Sequence, residues 1–176
     1  MHQLQLTVLS KPFNLILFNL LWAGLVIGRD SLLNYTIPIL VIYIALLIFA
    51  GSKKIYQILI PASLGIIVDC TFAFSGVFTF SETFILIPIW LIALWFAFSS
   101  TLTLSLSYIG NNKIIAIAAG AFLMPLNYAI GARLGAVEFA EPYIVSLLSI
   151  GVVWMIGLPT LFFVSHQNFE EIFHKI

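Results

Sequence analysis

Six uninterrupted apolar runs decide what this chain can fold into. Short clusters of charged, polar, Gly and Pro residues separate them, and the runs cover residues 13–28, 32–50, 55–74, 84–108, 114–134 and 143–164. Each run is close to the ~20 residues that a helix needs to cross a bilayer. A transmembrane strand would have ~10 residues of alternating polarity, so continuous runs favour helices. The pattern predicts an all-α, polytopic bundle of six transmembrane helices.

The low charge of the chain agrees with a bilayer environment. Only 8% of the 176 residues are charged and 62% are hydrophobic, whereas soluble domains carry roughly 25% charged residues. We therefore expect one transmembrane domain over residues 1–176, with membrane lipids as partners and no soluble domain. The net charge is zero, so no basic surface indicates a nucleic-acid partner.

The basic residues predict an orientation. If the six runs alternate in direction, lysines fall on one side and arginines on the other: Lys11, Lys53, Lys54, Lys113 and Lys175 against Arg29 and Arg133. Because basic residues concentrate on the cytoplasmic side of a membrane, both termini are expected in the cytoplasm. The tail, residues 166–176, has apolar residues at helical spacing. It is either an amphipathic surface helix or the frayed end of the last run.

Asp69 is the acidic residue that lies well inside an apolar run. Asp69 and Tyr128 each lie 15 residues beyond the preceding lysine, which at the rise of a helix puts both at a depth of ~22 Å. Asn127 is one residue shallower and Arg133 reaches the outer interface. Two interpretations remain open. Asp69 is part of a polar ligand site open to the outer face, or it is a structural group whose partner is Tyr128 or Arg133.

Four tryptophans are predicted at mid-depth, although tryptophan usually lies at the membrane interface. They are Trp22, Trp90, Trp95 and Trp154. They either line an aromatic cavity for an apolar ligand or simply pack in the bundle core. In run 4, the hydroxyl residues between positions 99 and 107 indicate either ordinary packing or a polar pathway, because such hydroxyls bond back to helix carbonyls at little cost.

Small residues indicate where the fifth run packs. Gly120 lies within that run, and Gly131 and Gly135 have the four-residue spacing of close helix contacts. We expect this helix to be central and tightly packed through these glycines. The spacing is weak evidence for a dimer and better evidence for packing within the chain.

Catalytic and metal-binding patterns are missing from the sequence. The three histidines lie near the chain ends, and Cys70 is the single cysteine, so no metal cluster, disulfide or nucleophile constellation is formed. We therefore assign no catalytic residue, metal or cofactor. Whether the protein is an enzyme stays undecided, with the sequence favouring a negative answer.

Two segments resemble a known family. The first is IPIWLIALWFAFSSTLTLSLSYIG at residues 87–110, preceded by Asp69 and by the loop GVFTF. The second is GAFLMPLNYAIGARLGAVEFA at residues 120–140. They are similar to the bacterial membrane proteins grouped as domain of unknown function 2878. The matching residues are Asp69, Gly76, Pro88, Trp90, Trp95, Pro125, Tyr128, Gly131 and Gly135. The resemblance implies a polytopic protein of the bacterial inner membrane without an assigned activity, and it hints at lipid handling.

These observations support three hypotheses about function. The first is a protein that binds or moves a hydrophobic or lipid-like small molecule, with Asp69, Tyr128 and Arg133 beside the tryptophans. The second is a structural or accessory subunit that contacts a membrane protein partner through its helix faces. The third is a membrane-embedded lipid-modifying enzyme that uses Asp69 as acid or base.

Overall fold

The computed structural model describes residues 9–80 and 87–167. This part of the chain is mostly helical and contains seven helices. Four helices are long and apolar enough to cross a membrane: Arg29–Phe49, Tyr56–Phe74, Lys113–Arg133 and Tyr143–His166. Two further apolar helices, Lys11–Val26 and Ile89–Ser99, are shorter. The protein is therefore a helical membrane protein, as the apolar runs predict.

The helices and strands are named here in chain order. The helices are α1 (Lys11–Val26), α2 (Leu33–Phe49, after a 3-10 turn at Arg29–Leu32), α3 (Tyr56–Phe74), α4 (Ile89–Ser99), α5 (Ser107–Gly110), α6 (Lys113–Arg133) and α7 (Tyr143–His166). The strands are β1 (Phe78–Thr79) and β2 (Glu138–Phe139), which pair antiparallel. The all-α prediction omitted this small sheet. The predicted tail begins with the last residue of α7, and its residues 168–176 lie outside the described part.

The prediction of one helix over residues 84–108 is wrong. Residues 84–86 lie outside the described part, α4 begins after Pro88, and the chain leaves the helix after Ser99. The Ser100 hydroxyl donates to the Ala97 carbonyl at 2.7 Å, and residues 100–106 form turns. Hydroxyls compete with backbone N–H groups for carbonyls at a helix end, and here they accompany its termination.

A buried asparagine satisfies the backbone at this break. Asn14 of α1 has no exposed surface. Its Oδ1 accepts from the N–H of Ser105 at 3.3 Å and from the Ser105 hydroxyl at 2.5 Å. Its Nδ2 donates to the Tyr43 hydroxyl at 2.9 Å and to the Ser100 carbonyl at 3.4 Å. The Asn14 side chain thereby connects α1 and α2 to both ends of the turns at residues 100–106, which we call the turn segment.

Two lysines lie at the same end of the bundle, which we call the lysine end. Lys11 Nζ donates to Ser107 Oγ at 3.0 Å, and Lys53 Nζ donates to the carbonyl of Ser99 at 3.2 Å. The Lys53 side chain is only 2% exposed. Its side-chain nitrogen lies at the C-terminus of α4, whose partial negative charge offsets part of the cost of burying a cation.

The opposite end, which we call the arginine end, is closed by Arg29 and the sheet. Arg29 Nη1 donates to the Gly135 carbonyl at 2.5 Å, and Nη2 donates to the Leu134 carbonyl at 3.3 Å. These contacts attach the α1–α2 connection to the C-terminus of α6. In the sheet, Phe78 of β1 lies opposite Phe139 of β2 and is fully buried.

The glycines of α6 have different roles. At Gly120, an added Cβ would lie 2.0 Å from the Trp154 carbonyl oxygen, so only glycine permits this approach of α6 to α7. At Gly131, an added Cβ would meet nothing within 4 Å. Gly135 has φ +71° and follows the end of α6, where Ala136 N–H bonds back to Gly131. The prediction that Gly131 and Gly135 form a packing pair is therefore wrong.

Candidate ligand-binding site

A cavity of about 350 Å³ opens on the side of the bundle. Helices α1, α4 and α6 supply most of its lining, with smaller contributions from α5, α7, Asp69 of α3 and residues 106 and 136–137. Most lining residues are aliphatic or aromatic, among them Trp22, Trp90 and Trp95. We call this cavity the lateral groove.

The exposed rim of the lateral groove lies between α1 and α6. On α1, Leu15 is 43% exposed and Asn19 is also exposed. On α6, Leu123 is 49% exposed and Asn127 is exposed. All four residues line the groove. The opening of the groove therefore lies on the side of the bundle, between these two helices.

Asp69 anchors a hydrogen-bond network behind this groove. It has no exposed surface. Oδ2 accepts from the indole N–H of Trp95 at 2.6 Å, and Oδ1 accepts from the Tyr128 hydroxyl. The Tyr128 oxygen in turn accepts from the indole N–H of Trp154 at 3.2 Å. The Trp95 and Trp154 rings are stacked with centroids 5.0 Å apart. These four residues, the Asp69 network, connect α3, α4, α6 and α7.

A glycine on α3 positions Trp95. Gly65 lies four residues before Asp69, on the same face of the helix. An added Cβ at Gly65 would lie 2.2 Å from the Trp95 ring. The indole therefore rests directly on the backbone of α3, and this close approach brings its N–H to the carboxylate.

A wide turn in α6 precedes Tyr128. Residues Ala119–Leu123 form a π-helical segment, closed by the N–H of Met124 donating to the Ala119 carbonyl. Pro125 follows at once. Proline lacks an N–H and its ring crowds the carbonyl four residues earlier, that of Ala121, so a wider turn relieves the contact. Such turns are frequent at functional sites.

The structure brings most of the predicted site residues to one region. Trp22, Trp90, Trp95, Asn127 and Tyr128 line the groove together with Asp69, and Trp154 lies behind them in the Asp69 network. The hydrogen bond between Asp69 and Tyr128 agrees with the equal depth given by helical rise. Arg133 is exposed at the end of α6 and does not line the groove.

Two of the sequence-based alternatives for Asp69 are wrong. Arg133 is not its partner, because the hydrogen bonds to its two oxygens come from Tyr128 and Trp95. The carboxyl is also not open toward the arginine end. There, the buried Phe78 ring packs on the Tyr128 ring with centroids 5.8 Å apart. Access to the network comes instead from the groove.

Gly65 and Asn19 were not predicted as site residues. The sequence could have indicated Asn19, since it is a polar side chain inside an apolar run. It indicates Gly65 more weakly, through the four-residue spacing from Asp69. Within the described ranges, no three His, Cys, Asp or Glu side chains come together to hold a metal ion. The groove offers apolar and aromatic contacts and a few neutral polar groups.

The fold defines the class of this protein. It is a polytopic helical membrane protein with a lateral apolar groove and a buried carboxylate network. The family model described as "Protein of unknown function (DUF2878)" matches residues 11–160. The chain therefore belongs to this family, and the resemblance noted in the sequence is confirmed. Comparison with curated proteins and with solved structures gave no match.

Proposed function

We propose that this protein binds a hydrophobic, lipid-like small molecule in the lateral groove and takes it up from the bilayer. The groove of about 350 Å³ is the observation that carries the proposal. Small-molecule sites typically have ~300–1,000 Å³ and are mostly apolar and aromatic, with few polar groups. An opening between α1 and α6 gives a lipid-soluble molecule a path that avoids water.

In this proposal Asp69 is a positioning residue. Its carboxyl has no exposed surface, so it acts on a ligand through the side chains that it holds. A buried carboxylate inside a membrane is costly unless it is paired. The bonds from Trp95 and Tyr128 offset that cost and fix both rings in the wall of the groove.

We further propose six membrane spans in a bacterial inner membrane, with the lysine end in the cytoplasm. The helices α1 and α4 are short, so each would then cross the membrane together with the segments that flank it. Cysteine labelling tests this. In a Cys70→Ala background, Asn111→Cys should resist a membrane-impermeant maleimide in intact cells and Asp30→Cys should react. The reverse pattern contradicts the orientation.

Native mass spectrometry tests ligand binding. Gly131→Leu fills the groove without a clash at Cβ, because an added Cβ there meets nothing within 4 Å. Ala118→Leu adds one carbon atom less, at an exposed position of α6 that does not line the groove. We expect the wild type and Ala118→Leu to retain a bound small molecule that Gly131→Leu lacks. Equal retention by all three proteins, or none by any, contradicts the proposal.

A further inference from the structure

The lateral groove is elongated along the helix axes. On α1 its lining extends from Leu15 to Val26, and on α6 from Ala119 to Gly131. At the rise of a helix, both stretches cover roughly 16–18 Å of the height of the bundle. Because α1 and α6 both begin at the lysine end, the groove runs from near that end toward the arginine end. Its volume of about 350 Å³ is near the lower end of small-molecule sites, so this length suits one extended chain.

The two ends of the groove differ in exposure. At the arginine end, the lining consists of buried apolar residues: Val26, Ala136 and Val137. Near the lysine end, Leu15 of α1 and Tyr108 of α5 line the groove and are 43% and 63% exposed. Since burying a polar group without partners is costly, a chain with one polar end would place that end toward the lysine end.

Lys11 lies beside this exposed end of the groove. It precedes Leu15 by four residues, on the same face of α1. Its Nζ donates to Ser107 Oγ at 3.0 Å, and Ser107 adjoins Tyr108 of the groove lining. An ammonium group has three N–H donors. In the part of the chain that the structure describes, Lys11 uses one of them for Ser107 and forms no ion pair.

From this arrangement we infer that the ligand is a single-chain anionic amphiphile whose carboxylate or phosphate head group pairs with the Lys11 ammonium. The inference rests on the proposed function, because it names the ligand class of the same groove. Lys11 supplies both a counter-charge and two N–H donors, the combination that an anionic group binds most strongly. The head group lies one helical turn, ~5 Å, beyond Leu15. It therefore stays outside the apolar part of the groove while the chain fills it.

Quenching of tryptophan fluorescence by brominated chains tests the inference. Trp22, Trp90 and Trp95 line the groove and report contact with bromine. Four probes carry the same dibrominated chain and differ in the head group, which is a carboxylate, a phosphate monoester, an alcohol or a trimethylammonium group. Each is titrated at alkaline pH into the full chain in a non-ionic detergent. We expect the anions to quench at roughly tenfold lower concentration than the other two, as for one charge-assisted hydrogen bond. The tighter anion identifies the head group.

Variants of two lysines isolate the head-group contact. Lys11→Met should raise the concentration of anion needed for half-maximal quenching by about tenfold and leave that of the alcohol unchanged, which also shows that the variant is folded. Lys11→Arg should keep the preference for anions. Lys54→Met is the matched control, because it removes another exposed lysine of the same end and should also keep it. Dibrominated phosphatidylglycerol, an anion with two chains, should quench more weakly than the single-chain anions.

The outcomes separate this inference from the proposed function. If Gly131→Leu abolishes quenching by all four probes but the wild type does not prefer anions, the groove binds and the head-group inference fails. It also fails if Lys11→Met keeps the preference, or if phosphatidylglycerol quenches as well as the single-chain anions. If no probe gives quenching that Gly131→Leu removes, the proposed function itself fails.

Discussion

The indole N–H of Trp95 donates to Asp69 Oδ2 at 2.6 Å, across the contact between α3 and α4. Together with the bond from Tyr128, it gives each oxygen of a buried carboxyl a donor. The aromatic wall of the lateral groove is therefore held by one acidic side chain, and its integrity depends on residues that the ligand need not touch.

Removing this acceptor should destabilise the protein. Asp69→Leu leaves the Trp95 N–H and the Tyr128 O–H without their acceptor inside the bundle. We expect the free energy of unfolding to fall by about 1–3 kcal/mol, measured by thermal unfolding in detergent. Asp30→Asn neutralises an exposed carboxyl and should have little effect. Equal stability of Asp69→Leu and wild type would show that the network is not formed.

Gly65→Ala should displace Trp95. The new Cβ would lie 2.2 Å from the indole ring, so the ring or α3 must move. Overpacking of this kind costs about 1–3 kcal/mol, and the displaced indole should change the emission spectrum of tryptophan. Gly131→Ala is the matched control, because its Cβ enters open space. Similar spectra and stabilities for the two variants would contradict the close contact.

Asn14→Leu should destabilise the turn segment, residues 100–106, that follows α4. The change removes the acceptor of the Ser105 groups and a donor to Tyr43 in a site without solvent. We expect a loss of about 2–3 kcal/mol, since more than one buried polar group loses its partner. Asn19→Leu changes an exposed asparagine of the same helix and should be nearly neutral. A comparable loss for both would mean that Asn14 has no special role.

The buried Lys53 should make stability depend on pH. Desolvation lowers the pKa of Lys53 from 10.5 to about 7. Between these values the unfolded chain binds a proton that the folded chain does not, so stability rises with pH over this range. The penalty of the charged form is fully present below pH about 7.

Two variants test this pH dependence. Lys53→Met should raise the unfolding temperature near pH 6 and flatten its rise between pH 7 and 10. Lys54→Met removes an exposed lysine next in sequence and should keep the slope of the wild type. A Lys53→Met protein with an unchanged slope would place the titrating group elsewhere.

The pairing of Asp69 with Tyr128 was accessible from the sequence, because a fixed rise per residue converts chain position into depth. Except in the run at residues 84–108, the helix bounds also followed to within about two residues, since continuous apolar runs end at charges and turns. The partner Trp95 did not follow. The depth of a residue in the membrane does not determine which way its side chain points around the helix axis. The contact also depends on Gly65, whose missing side chain lets the indole lie against α3.

The end of α4 and the position of the groove could not be predicted either. Hydroxyl residues such as Ser100 are compatible with a helix that continues and with one that ends. Here the turns after α4 are hydrogen-bonded by Asn14, which belongs to another helix. The groove arises between α1 and α6, which are far apart in the chain. Its existence depends on how the helices pack, which periodicity in a single sequence does not encode.

Photolabelling tests the central claim most directly. A long-chain carboxylate carrying a diazirine is added to the protein in vesicles, and labelled peptides are mapped by mass spectrometry. We predict strong labelling around Trp22, Leu94 and Leu123 of the groove, with Gly131→Leu reducing it to the level of the exposed α2 residues Ile39 and Ile42. Even labelling of α2 and the groove lining, unchanged by Gly131→Leu, would contradict a ligand site in the lateral groove.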